Sequence, residues 1–427
     1  MEVAIVLFGV LFVGLLLNMP VGFAIGLASM MAILADGRLS NLYVVQQMVT
    51  SSDSFTLIAI PLFVLAGELM AVGGVSRRLL NVANVFFGSL TGGLAIITVV
   101  LCMFFAAVSG SGPATVAAIG SMVLPSMLEK GYDKKFALGL IACAGSIGVI
   151  IPPSIPMIIY GTSTGTSVSS VFMAGILPGI LIGVSLIIAC YFIAKKNGWK
   201  GDERRYTVKE KLHEVWNAKW ALISPVIILG GIYAGIFTPT EAAAIATGYA
   251  FFCGMFIHRE LTPQNIYRTL ANSCMTTGTI LVIVACATAF TKLLTINRIP
   301  DLITNGILGI SESTTVILLF IIILLLFVGC FMDTTPAMMV LAPILLPVAV
   351  KMGLNPIHFG IIMVTTLAIG FFTPPLGVNL FVASRVGNVP IETVVSGVGK
   401  FIIIVIIDAL IIAFIPWISM VLPTLAK

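Results

Sequence analysis

The sequence predicts an all-α polytopic membrane protein built as an inverted repeat, with two re-entrant helical hairpins and two interrupted helices. Three observations carry that expectation. The 427-residue chain is 59% hydrophobic and 9% charged, with a mean hydropathy of +1.15, which leaves too little polar surface to clothe a water-soluble globule. Its apolar runs are continuous rather than alternating, so helices are expected and a barrel is not. One pattern of breaks and prolines also occurs twice in register, and internal repetition is the strongest organisational signal a sequence carries.

Each copy of the pattern reads as an apolar limb, a small polar break, a second limb, a turn, and an apolar run interrupted by a proline pair. In the first copy the break is Ser109-Gly110-Ser111-Gly112-Pro113, the turn centres on Gly131, and the interruption is Pro152-Pro153. In the second copy they are Met332-Asp333-Thr334-Thr335-Pro336, Gly353 and Pro374-Pro375. Counted from the first proline, an inner proline follows at 12 and 11 residues, the turn glycine at 18 and 17, and the proline pair at 39 and 38. Gly148 and Gly370 each stand four residues before their pair.

In chain order the first half, residues 1–194, holds segments 3–17 and 18–35 split at Asn18-Met19-Pro20, then 55–72, the limbs 92–108 and 114–128, the interrupted run 136–160, and 169–194. The second half, 219–427, repeats the order with 219–237 and 238–257, 269–290, the limbs 314–332 and 337–350, the run 356–384, and 398–424. Between them 195–218 is strongly polar, with Lys195, Lys196, Lys200, Arg204, Arg205, Lys209 and Lys211 against Asp202, Glu203, Glu210 and Glu214. It reads as an amphipathic surface linker with Trp216 and Trp220 at the headgroups.

Short basic loops stay in the cytoplasm, which fixes direction. With the linker inside, the loops holding Arg77 and Arg78 and Lys130, Lys134 and Lys135 are also inside, and the uncharged 161–167 loop is outside. The limbs 92–108 and 114–128 then begin and end on one side. A 15-residue limb reaches only about 22 Å against a hydrocarbon core of about 30 Å, which favours a re-entrant hairpin over two crossings. Five crossings per half give oppositely oriented copies and place both termini outside. No Lys or Arg precedes Arg38, so a cleaved signal peptide is not expected. Seven cysteines inside apolar stretches and three scattered histidines point to neither disulfides nor a metal cluster.

Broken helices in membranes offer carbonyls to cations and amides to carboxylates, and hard cations such as sodium take oxygen ligands. One candidate set is Ser109 and Ser111 opposite Gly145, Gly148 and Val149; the other is Gly329 and Asp333 opposite Gly370 and Thr373. The bland alternative for each hydroxyl is a bond to its own helix. Asp333 stands out because an unpaired carboxylate at a hairpin tip is costly unless it serves a cavity. Arg298 could meet an anionic substrate or anchor at the interface, and Ser154 could donate to a carboxylate. Glu68, Glu241, Lys292 and Asp408 read as packing or inter-helix pairing.

The stretches SGSGPATVAAIGSMVLP, GSIGVIIPPSIPMIIYG, FTPTEAAA, GCFMDTTPAMMVLAPILLP and GFFTPPLGVNLF together resemble the large membrane subunit of tripartite ATP-independent periplasmic (TRAP) transporters. The resemblance covers the whole chain. It implies an elevator-type transporter in the bacterial inner membrane, sodium coupling, a small four-helix membrane subunit as a separate polypeptide, and a periplasmic binding protein. The cargo implied is an organic acid such as sialic acid or a C4-dicarboxylate. It also implies Ser109, Ser111, Gly148 and Val149 for one sodium and Gly329, Gly370 and Thr373 for another, with Ser109, Ser154, Arg298 and Asp333 as substrate contacts. No GxxxxGK[ST] is present, which suits ion drive rather than ATP. The rival reading is a stand-alone sodium–carboxylate symporter. An intramembrane serine hydrolase lacks a base in either limb, and a passive channel has no need of two broken repeats.

Overall fold

A computed structural model describes residues 2–40, 42–51, 53–202, 204, 206–309 and 313–426. Apolar runs in a medium without water must satisfy their own backbone, and these do so as helices. The described residues form α-helices with short 3-10 and π turns and no strand. Among the described residues, seven helices are long and apolar enough to cross a membrane, or eight if the pair Val208–Asn217 and Lys219–Tyr233, bent by 59°, counts as one span.

The segment 3–35 resolves into two helices, Glu2–Leu16 and Val21–Asp36, packed side by side, with Asn18 at φ 58° in the turn between them. Leu42–Ser51, Val75–Phe87 and Ile299–Leu308 are helices that hydropathy does not reveal, because each is short. Phe55–Ile58 leads into Ala59–Val72, and Val168–Asn197 closes the first half. The second half runs through Lys219–Tyr233, Pro239–Phe252 and the 34-residue helix Pro263–Ile296, and ends with Ile391–Phe414 and Trp417–Leu425. Pro263–Ile296 extends past the expected 269–290 at both ends, whereas the expected run 398–424 begins earlier and divides at Ile415-Pro416 into two helices.

The limbs are Gly93–Ser109 with Gly112–Glu129, and Thr314–Phe331 with Thr334–Lys351. Gly112–Glu129 has 18 residues rather than 15, or about 27 Å at 1.5 Å per residue. That corrects the length argument for re-entrance: the second limb gains a turn because Ser111 caps it and Pro113 sits comfortably in its first turn.

Each interrupted run is two helices: Lys134–Gly145 and Ile155–Thr164 in the first half, Pro356–Gly370 and Val378–Gly387 in the second. The prolines lack amide hydrogens and restrict the residue before them, so neither run can continue through its pair. Local signals repeat between halves. Gly131 and Gly353 turn the chain at φ 76° and 82°, where glycine carries no steric cost. Asp133 then caps through the Phe136 amide at 2.9 Å, and Asn355 through the Ile357 amide at 2.8 Å.

The halves are interwoven. Pro239–Phe252 lies along Ala59–Val72 in constant register: Thr240 Oγ1 donates to the Phe55 carbonyl, Thr247 Oγ1 to the Leu62 carbonyl, and His258 Nδ1 meets the Gly73 carbonyl, all pairs 185 residues apart. A constant offset means the two helices run parallel. Val21–Asp36 lies likewise along Pro263–Ile296, with Gly22 against Ile283 and Gly26 against Cys286. Gly112–Glu129 packs on Val378–Gly387, and Thr334–Lys351 on Ile155–Thr164, so each hairpin leans on the other half's broken helix.

Charges gather at one end. Arg77 and Arg78 both pair with Glu260, and Lys130 pairs with Asp202. The linker is anchored there: Trp199 stacks on Tyr132 at 4.6 Å and lies 4.8 Å from Phe136. Its helix Val208–Asn217 opens on a capping box between Thr207 and Glu210 and leaves Val208, Leu212 and Trp216 exposed along one stripe. Glu203 and Arg205, counted among the linker charges, lie outside the described residues.

Candidate functional site

The two breaks meet at one cavity of about 490 Å³, lined by Ser109, Gly110 and Ser111 from the first tip and by Asp333, Thr334 and Thr335 from the second. Val149, Ile155 and Phe371 come from the interrupted helices, Gly67 and Glu68 from Ala59–Val72, and Thr276, Thr279, Ile280 and Ile283 from Pro263–Ile296.

The first tip is held by its own hydroxyls. Gly110 ends Gly93–Ser109 in the left-handed region, and Ser111 caps the next helix. Thr115 Oγ1 donates to the Ser111 carbonyl at 2.8 Å and lies 3.1 Å from Ser109 Oγ. Across the break, a β-carbon on Gly148 would fall 2.7 Å from the Ser111 carbonyl oxygen, so only glycine admits this approach. The Ile155 amide donates to the Gly110 carbonyl at 3.4 Å, and Ser154 Oγ donates to the Val149 carbonyl at 2.6 Å.

The second tip repeats the plan with other chemistry. Gly329 lies against Gly370, the Leu376 amide donates to the Cys330 carbonyl at 3.2 Å, and Thr373 Oγ1 donates to the Ile369 carbonyl at 2.7 Å. Asp333 stands at the start of Thr334–Lys351 with its side chain open to the cavity, and Thr334 Oγ1 donates to its Oδ1 at 3.2 Å.

Of the expected site residues, Ser109, Ser111, Val149 and Asp333 line the cavity. Gly145, Gly148, Ser154, Gly329, Gly370 and Thr373 sit behind it at the breaks. Arg298 is not there: it is exposed, with φ 52°, at the start of Ile299–Leu308. The expected substrate contact is thus not among the residues that line this cavity. Glu68, expected to pack or pair between helices, also lines the cavity.

Three contributors were not anticipated. Thr115, one turn after Ser111, was discoverable from that spacing. Gly67 supports the first tip, and nothing in its apolar surroundings marks it. Asn379, four residues past the second proline pair, is completely buried and donates through Nδ2 to the Ala142 carbonyl at 2.9 Å, reaching into the other half. Its Oδ1 has no partner and lies 3.4 Å from where a Gly112 β-carbon would be, a point also 3.4 Å from the Gly145 carbonyl oxygen.

A family profile described as tripartite ATP-independent periplasmic transporter, DctM component, matches residues 8–418. The chain belongs to that family. It is a multi-pass membrane transport component. Its relatives include the isethionate TRAP transporter permease protein DctMQ of Oleidesulfovibrio alaskensis, 48% identical over 97% of this chain and 65% of that protein. The chain thus spans about two thirds of that relative's length. The C4-dicarboxylate large permease protein DctM of Pseudomonas aeruginosa is 41% identical over 87% of each chain, and the sialic acid large permease protein SiaM of Vibrio cholerae 36% over 98% and 96%. Among solved structures, the Alcanivorax borkumensis YdaH transporter superposes with a TM-score of 0.64 at 14% identity, covering 89% of both chains. That likeness concerns the fold alone.

Proposed function

We propose that the chain is the transport subunit of a binding-protein-dependent system in the bacterial inner membrane, taking up an organic acid with sodium by an elevator movement. The observation that carries this reading is the charge of the central cavity. It has two carboxylates, Glu68 and Asp333, two helix N-termini at Gly112 and Thr334, and no basic side chain among its lining residues. An anion has little reason to enter such a place alone, and co-bound cations supply the missing positive charge.

The residues present fit a hard cation. Carbonyl oxygens have two lone pairs, so the Val149 carbonyl, which accepts the Ser154 hydroxyl, can still face an ion. The unpaired Asn379 Oδ1 near the Gly145 carbonyl is a further oxygen that an ion would satisfy. On the second side, Gly329 lies against Gly370, and Thr366, one helical turn before Gly370, has a buried Oγ1 with no partner among the described residues. Ser109, Ser111 and Asp333 then face the cargo, with the Gly112 amide and the positive end of Gly112–Glu129 directed to its carboxylate.

The halves are read as inverted copies, 1–194 and 219–427, with both hairpins re-entrant and the linker cytoplasmic. Support comes from the crosswise packing and from the gathering of Arg77, Arg78, Lys130 and the linker at one end. The hairpins and broken helices form the moving body, and Ala59–Val72 and Pro263–Ile296 belong to the frame facing it. A small membrane subunit and a periplasmic binding protein complete the system. Cargo classes named for the relatives, C4-dicarboxylates, sialic acid and isethionate, set the range.

The test is uptake by proteoliposomes holding the chain and its small subunit, with and without the binding protein and an inward sodium gradient. Uptake requiring both is expected. Uptake without the binding protein would replace this reading by a stand-alone symporter, and uptake indifferent to sodium would remove the coupling.

A further inference from the structure

One stripe of Pro263–Ile296 serves two cavities. Thr276, Thr279, Ile280 and Ile283 line the central one, and Thr288, Thr291, Lys292 and Thr295 line a second of about 330 Å³, at helical spacings of three and four. From Ile280 to Lys292 is about 18 Å along the axis. The second cavity lies toward the end opposite Arg77, Arg78 and Glu260, since Glu260 immediately precedes the start of this helix and Lys292 stands in its last turns.

The two cavities have opposite character. The central cavity carries carboxylates and no base, whereas Lys292 is the only ionisable residue among those lining the second. Lys292 is exposed, and no ion pair occupies its ammonium among the described residues. A solitary ammonium in a recess walled by low-dielectric helices focuses its field on whatever enters. The hydroxyls around it have committed their hydrogens: Thr288 Oγ1 donates to the Val284 carbonyl, Thr295 Oγ1 to the Thr291 carbonyl, and Ser163 Oγ to the Tyr160 carbonyl. Their oxygens therefore face a ligand as acceptors, and the charged donor is Lys292.

We infer that this cavity is a second station for the cargo, in which Lys292 holds the acidic group of a small hydroxylated organic anion whose hydroxyls donate to the surrounding serine and threonine oxygens. The walls support this. Thr162 and Ser163 come from the helix after the first break, Met339 and Pro343 from the second hairpin, and Thr291 Oγ1 donates to the Met339 carbonyl at 3.2 Å. Lys292 thus stands on the frame, facing the body that carries the central cavity. The inference rests on the proposed carriage of organic anions, but its test does not need transport.

The full chain in membrane vesicles, with the exposed Cys274 replaced by Ser, receives the reporter Ser163→Cys. Its reaction rates with anionic sulfonatoethyl and cationic trimethylammonioethyl methanethiosulfonate are compared. The anionic-to-cationic ratio is expected to fall roughly five-fold in Lys292→Gln and to be kept in Lys292→Arg. Millimolar isethionate, a hydroxylated sulfonate, is expected to slow modification when Lys292 is present and not in Lys292→Gln. A ratio indifferent to Lys292→Gln, or no protection by isethionate, overturns the station. An intact ratio and protection alongside absent sodium-driven uptake tell against the carrier function instead.

Discussion

A β-carbon on Gly67 would lie 2.8 Å from the Cα of Ser109. The first hairpin tip is thereby seated on Ala59–Val72 backbone to backbone, with no side chain to adjust between them. Gly67→Ala forces the tip or the helix to move, an overpacking that costs about 1–3 kcal/mol. Transport is expected to fall at least several-fold while the protein still assembles in the membrane. Unchanged uptake would show that the seat yields.

Asp333 is the only carboxylate at either tip, and it opens into the cavity. Asp333→Ala is expected to impair transport, with assembly unaffected, because the carboxylate opens to the cavity and the only side chain it releases is the small hydroxyl of Thr334. Normal uptake in this variant takes Asp333 out of the site.

Thr115 joins Ser109 and Ser111 through one hydroxyl. Thr115→Val keeps the shape and removes both links, about 1 kcal/mol of local order per hydrogen bond. The sodium concentration for half-maximal transport is expected to rise by roughly five-fold, the equivalent of about 1 kcal/mol. A change in maximal rate alone would instead place Thr115 in the movement.

His258 gives a pH dependence. Its ring is buried against the Gly73 carbonyl, and loss of solvent, reinforced by Arg78, pushes its pKa below the usual 6.5, against the opposing pull of the Gly73 carbonyl and Glu260. The folded protein thus binds this proton less readily than the unfolded chain. The stabilisation is full above about pH 6.5 and is lost as pH falls through the folded value. Thermal unfolding scanned from pH 8 to pH 5 (roughly the range over which a histidine titrates) should show this loss in the parent and less of it in His258→Gln. Equal pH profiles would contradict it.

The breaks and the turns were legible because prolines and glycines act locally: Pro152-Pro153 and Pro374-Pro375 stop helices wherever they fall, and Gly131 and Gly353 turn the chain without outside help. Ser109, Ser111 and Asp333 were legible for the same reason, as polar residues at those stops. What stayed hidden depends on tertiary approach. Leu42–Ser51, Val75–Phe87 and Ile299–Leu308 are too short for hydropathy to separate. Gly67 gains meaning only from Ser109, and Asn379 only from Ala142. Arg298 lies outside the cavity, at a positive φ that charge and position in sequence do not reveal.

The central claim is that both tips face one cavity and change sides together. Single cysteines at Ser111 and Asp333 can be tested with a membrane-impermeant thiol reagent applied from either side, with and without a sodium gradient. The account expects both positions to react from the same side in any one condition, and to exchange sides together when the gradient shifts the population. Ser111→Cys and Asp333→Cys reacting from opposite sides in every condition would contradict it.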